Sequence, residues 1–254
     1  MRSHWAAALA IVLTATVGSQ PIRTLQETYS HGAIVRLDTT QRTIHLVFTA
    51  HDLANTGSAI RTILQRHHMR ASFFFTGAFY RSAQFAPLIR ELKEDGHYLG
   101  PHSNGHLLYC DWSKRDSLLV TKEEFLRDLD SNFAAIASFG IPRADASVFL
   151  PPYEWYNDTI AAWSREAGLT LVNFTPGTSS NADYTWPELG RQYLSTDTIF
   201  ARILRFESTS TSGLNGFILL IHFGVDPRRP DPFVHRLDEL LTILEQRGYR
   251  FARF

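Results

Sequence analysis

Cysteine is almost missing from this chain of 254 residues: Cys110 stands alone, so no disulfide can form within it. The fold must rest on a packed core, and an oxidising compartment is permitted without being demanded. A lone cysteine is most often a small buried apolar residue, and a nucleophilic role for Cys110 stays open beside that reading. Net charge is missing as well, with 25 Lys and Arg against 25 Asp and Glu. Such a surface offers no field to hold nucleic acid or an anionic membrane, while a neutral partner suits it. No Pro/Gly/Ser-rich linker, internal repeat, coiled coil or low-complexity tract interrupts the chain, which argues for one domain over residues 22–254. The one long charge-free apolar run, residues 5–17, is shorter than the roughly 20 residues a bilayer span requires.

That run follows Arg2 and precedes the small residues Gly18 and Ser19. Residues 1–19 therefore read as a secretory signal cleaved near residues 18–20, with an uncleaved anchor as the alternative. Export to the periplasm or the exterior is expected, with no stable membrane span after cleavage. Beyond this leader, short β-like runs alternate with amphipathic stretches. Strands are predicted over residues 33–36, 43–49, 71–76, 98–100, 147–150, 169–174 and 216–222. Helices are predicted over residues 58–68, 85–95, 121–139, 157–167, 197–206 and 234–247, the third opened by a capping box from Thr121 to Glu124. Alternation of this kind predicts an α/β fold, a mostly parallel sheet arranged like a barrel of about seven strands.

The polar residues fall at telling places. His51-Asp52, the stretch from His102 to His106, Tyr153-Glu154 and His222 each directly follow a predicted strand. Sites in parallel α/β folds gather at the carboxyl ends of strands, so these clusters are expected to meet on one rim. His102 and His106, four apart in a turn shaped by Gly100, Pro101 and Gly105, can aim two imidazoles at one ion; zinc, nickel, cobalt and iron all accept imidazole. A pair of surface histidines is the plainer reading of that spacing. Asp52 is the candidate third ligand, with an N-cap role as its alternative; His51 is a candidate base or ligand. His222 ends an apolar strand and is a candidate catalytic acid, or a core histidine bonded to a carbonyl. Tyr153, Glu154 and Trp155 are candidate substrate contacts, with loop packing as the alternative for the aromatics.

Four segments, in order, resemble the polysaccharide deacetylases of carbohydrate esterase family four. His102-Ser103-Asn104-Gly105-His106 matches the motif H-S/T-x-x-H, and Ala71-Ser-Phe-Phe-Phe-Thr-Gly77 is similar to the strand that precedes it. Phe149-Leu-Pro-Pro-Tyr153 resembles R-x-P-Y with Leu150 in place of Arg, and Leu219-Leu-Ile-His222 resembles L-x-x-H. The resemblance implies a distorted (β/α) barrel, a divalent metal held by two His and one Asp, a second Asp as base and the final His as acid. It implies an acetylated polysaccharide or oligosaccharide as substrate. The first motif departs from the family: T-F-D-D-G is replaced by Val47-Phe-Thr-Ala-His-Asp52, which sets Thr49 and Ala50 where two aspartates are expected. Two readings follow. One is a deacetylase in which Asp52 joins His102 and His106 on the metal while His51 and His222 move protons. The other is a catalytically impaired carbohydrate-binding protein on the same fold.

Overall fold

The computed structural model describes Met1 and residues 27–254. The expected leader lies outside the described residues. In chain order the elements are β1 (Thr28–Ser30), β2 (Ala33–Arg36), β3 (Thr43–Ala50), α1 (Gly57–Arg66), β4 (Ser72–Phe75), α2 (Gly77–Arg81), α3 (Ala86–Glu94) and β5 (Tyr98–Pro101). They continue with α4 (Lys122–Ala137), β6 (Val148–Phe149), α5 (Asp158–Glu166), β7 (Thr170–Leu171), α6 (Thr196–Thr209), β8 (Phe217–His222), α7 (Val234–Gln246) and β9 (Arg250–Ala252).

The main sheet runs β1-β2-β8-β3-β4-β5, with β9 pairing to the start of β3. The pairs β8/β3, β3/β4 and β4/β5 are parallel, while the hairpin β1/β2 is antiparallel and joins β8 through Arg36 and Phe217. β6 and β7 form a separate parallel pair. Two thin links close the ring. Leu150 donates its N–H to the Pro101 carbonyl at 3.4 Å, and Ile34 bridges to Val172. The expected distorted barrel is thus present, held on one side by the ladder from β8 to β5 and on the other by scattered hydrogen bonds.

Period-two alternation sorts the strands into an inside and an outside. Val47, Phe74, Tyr98, Leu150, Val172, Ile218 and Leu220 form a small inner cluster. Ile44, Leu46, Phe48, Phe73, Phe75, Leu219 and Ile221 point the other way, into the larger core shared with the helices. The inner space is tight: a Cβ on Gly100 would come within 2.5 Å of the Tyr98 ring. No helix among the described residues is long and apolar enough to cross a membrane.

The capping box forms as expected, with the Thr121 side chain accepting from the Glu124 N–H and the Glu124 carboxylate accepting from the Thr121 N–H. Four elements differ from the sequence reading, β9 being a strand absent from it. α2 follows β4 at once, because Gly77 opens a helix after Thr76 rather than ending a strand in a loop. The run over residues 169–174 is regular strand only at Thr170–Leu171, since its second half turns toward β2 and β8. β1, largely exposed, carries little apolar signal.

Candidate active site at the carboxyl rim of the barrel

Alternation fixes which side chains enter the barrel mouth. Thr49 follows Val47, His222 follows Ile218 and Leu220, and His102 follows Tyr98 and Gly100, all on the inward parity. Thr49 and His222 are direct register partners on neighbouring strands. Above them lies a cavity of about 570 Å³ lined by His51, Asp52, His102, His106, Tyr153, Glu154 and His222, among others. The four polar clusters expected to share a rim do share one.

The loop from His102 to His106 is shaped by α4. Asp128 accepts from the Ser103 hydroxyl at 2.7 Å, the Asn104 N–H at 2.8 Å and the Gly105 N–H at 3.0 Å. Asn132, one turn on, accepts from the His102 N–H at 2.9 Å and donates to the Phe75 carbonyl at 3.3 Å. These bonds hold Ser103 and His106 at positive φ, 69° and 55°, a conformation that costs a non-glycine residue about 1 kcal/mol or more.

His102 is buried, and its Nδ1 lies 2.7 Å from the Leu150 carbonyl. A carbonyl only accepts, so Nδ1 carries the proton and Nε2 keeps its lone pair. Burial, then the nearby His106, lowers the His102 pKa well below its ordinary value, against the pull of that carbonyl. Burial, then His51 and His222, lowers His106 to about 3. Both imidazoles are therefore neutral at neutral pH, the form that binds metals. The His51 ring stacks on that of His106 with centroids 4.8 Å apart, and the His102 and His106 rings are 5.3 Å apart. Asp52 lies on the exposed edge of the cavity.

Among the described residues no three His, Cys, Asp or Glu side chains already stand close enough to enclose an ion. The donors nevertheless suit a divalent metal in kind: neutral nitrogen ligands, one of them with its tautomer fixed from behind. Beside them the buried Thr49 hydroxyl has no hydrogen-bond partner, although it lines the cavity.

His222 meets a partner that sequence reasoning missed. Asp183, fully buried in the long loop before α6, accepts from His222 Nδ1 at 2.6 Å and from its backbone N–H at 2.9 Å. Burial alone would lower the His222 pKa, but the charge and hydrogen bond of Asp183, aided by Glu154, raise it. Burial, reinforced by Asp183 against the opposing pull of His222, lifts Glu154 to about 7. Asp183 lies 39 residues from its partner in a stretch without periodicity, so its only sequence cue is its place between the aromatic residues of that loop.

Tyr153 and Glu154 sit consecutively at positive φ, 59° and 52°. The Tyr153 ring packs on His106 at 4.3 Å, and the Glu154 carbonyl accepts from Asn173 Nδ2 at 2.8 Å. Trp155 does not line the cavity. Its Nε1–H donates to the Asp111 carbonyl, the Arg115 guanidinium stacks on it at 3.6 Å, and it backs Trp112, which does line the cavity. Tyr184 and Trp186 complete the aromatic rim.

Comparison with known proteins agrees with this architecture. The polysaccharide deacetylase family profile matches residues 36–172. A peptidoglycan-N-acetylglucosamine deacetylase of Bacillus cereus is 23% identical over 192 residues, covering 75% of this chain and 76% of its own. An uncharacterised 30.6 kDa protein of Geobacillus stearothermophilus is 24% identical over 225 residues, covering 87% and 72%. A family 4 carbohydrate esterase pseudoenzyme of Bacillus anthracis shares the fold with a TM-score of 0.68 at 17% identity, over 89% of this chain and 68% of that one. With the profile spanning more than half of the sequence and the barrel and its rim in place, the chain belongs to the polysaccharide deacetylase family.

Proposed function

We propose that this protein is a metal-dependent hydrolase that removes acetyl groups from an acetylated polysaccharide or oligosaccharide outside the cytoplasm. The observation that carries the reading is one cavity holding two neutral imidazoles, an Asp183–His222 pair and the carboxyl of Glu154. His102 and His106 are two of the metal ligands, and the turn at residues 51–52 supplies a third. Zinc is the expected ion, with nickel, cobalt and iron also compatible with imidazole. When bound, the ion supplies Lewis acidity to polarise the acetyl carbonyl.

The chain's own groups handle the protons. Glu154, poised near neutrality, takes a proton from the attacking water. His222, whose cation the Asp183 carboxylate favours, donates a proton to the departing sugar nitrogen or oxygen as its bond to the acetyl carbon breaks. Acetate and a free amine or hydroxyl result. Trp112, Tyr153, Tyr184 and Trp186 offer apolar faces for sugar rings at the rim. Export rests on the leader-like pattern of residues 1–19.

The test is acetate release from acetylated chito-oligosaccharides and acetylated xylan by protein of known metal content. A second reading has its own support. Thr49 and Ala50 stand where the family pattern carries two acids, which favours a glycan-binding protein without turnover. Glycan binding that survives His102→Ala and His106→Ala, with no acetate released by the parent protein, selects that reading.

A further inference from the structure

The third metal ligand is the open question at this site. The family pattern puts a carboxylate there, and Asp52 is the acidic residue of the turn after β3. The structure separates Asp52 from its neighbour in three ways.

The first is burial, since β3 and its alternation end at Ala50 and both His51 and Asp52 line the cavity. Asp52 is exposed, whereas His51 is partly buried. The second is contact. The His51 ring lies on that of His106, which in turn neighbours His102, so the three imidazoles form one continuous group.

The third is the state of the His51 ring. Its Nδ1 lies 3.2 Å from the hydroxyl of Thr76, which is fully buried. That hydroxyl also accepts from the Phe79 N–H at 3.1 Å and lies 3.3 Å from the His51 carbonyl. One arrangement satisfies every group: the hydroxyl donates to the carbonyl, and Nδ1–H donates to the hydroxyl. The opposite tautomer would leave the His51 carbonyl without this donor. His51 then matches His102, each with Nδ1–H anchored on an oxygen and an Nε2 lone pair free. Anchoring of this kind is how ligating histidines are oriented. His106, packed between the His51 and Tyr153 rings, makes no ring hydrogen bond among the described residues, so neither of its nitrogens is committed elsewhere.

We propose that the metal centre of this protein is free of carboxylate ligands, with His51, His102 and His106 holding the ion and Asp52 remaining outside its coordination. The proposal rests on the metal-dependent reading above. Three neutral ligands leave the full double charge on the ion, whereas the family's aspartate would cancel part of it. Thr76 is a positioning residue for His51, a role that a backbone cap on α2 alone would not require.

Zinc affinity, measured by competition with a chromophoric chelator on the purified full chain, tests this without reference to turnover. Asp52→Asn is expected to stay within about three-fold of the parent, and His51→Ala to weaken zinc by more than about 100-fold, beyond the usual cost of losing a supporting residue. His51→Gln serves if the alanine variant has lost its circular dichroism signal. Thr76→Val is expected to weaken zinc by about 10-fold, and Thr76→Ser to restore it. Loss of binding in Asp52→Asn, alone or together with the His51 variants, would overturn the carboxylate-free assignment and leave the hydrolase reading standing. Retained affinity in both His51 variants would do the same. A parent protein that binds no zinc, cobalt or nickel would overturn both.

Discussion

His222 sits under two opposing influences, burial that disfavours its cation and the Asp183 carboxylate 2.6 Å away that favours it. Asp183→Asn removes the second. The imidazolium is then held less tightly, so the alkaline limb of kcat moves to lower pH, and kcat falls by about 100-fold if proton donation limits turnover. A pH profile of acetate release checks this, and an unmoved limb would deny His222 its role. His97, on the opposite side of the barrel, makes a prediction about stability. Burial lowers its pKa from 6.5 to about 4, and its Nδ1 accepts the Ala71 N–H at 3.1 Å. The folded protein keeps it neutral, while the unfolded chain gains its proton below pH 6.5. The stabilisation is therefore complete above that pH, is lost progressively as pH falls toward 4, and changes no further below it, a swing of up to about 3 kcal/mol. Urea denaturation of His97→Asn is expected to show a shallower decline over that window than the parent, even though the variant starts less stable.

At the scale of elements, α4 does more than cover the barrel. Asp128 and Asn132, four apart on its buried face, gather the His102–His106 loop by hydrogen bonds. A carboxylate can accept all three Asp128 bonds, whereas an amide must point N–H at one of the donors. Asp128→Asn is expected to weaken zinc by about 10- to 100-fold with only a modest change in the melting temperature of the metal-free chain. Equal affinity in the two proteins would show that the loop holds its shape unaided. Much of this scaffold could be read in advance. The helices announced themselves by amphipathic spacing and by the Thr121–Glu124 box, because local chemistry sets those features. α2, with five residues, is too short to show a period, and β1 buries too little to be marked. The His102–His106 loop was legible, but its supports on α4 were not, since they are ordinary helix positions until the fold brings them to the loop. Trp155 shows the converse. Adjacency to Tyr153 suggested a shared surface, yet the left-handed backbone at Tyr153 and Glu154 sends Trp155 behind the rim.

At the scale of the molecule, the barrel is closed firmly from β8 through β5 and thinly at β2/β8, β5/β6 and β7/β2. The inner cluster is small, so it tolerates little loss. Phe74→Ala, which empties part of the barrel interior, is expected to cost about 3–5 kcal/mol, measurable by urea denaturation. The mostly parallel α/β architecture and the meeting of the polar clusters on one rim followed from alternation and from where polar residues follow strands. The missing acids at Thr49 and Ala50 did not reveal what replaces them, because that depends on side-chain contacts across β3, β4 and β8. The measurement that bears most directly on the whole account is acetate released from acetylated chito-oligosaccharides by the zinc-loaded protein, beside its His102→Ala variant. Many acetates per chain from the parent and none above blank from the variant is the expected result. No release by the parent with zinc, cobalt or nickel, from either the chitin-derived or the xylan substrate, would contradict it.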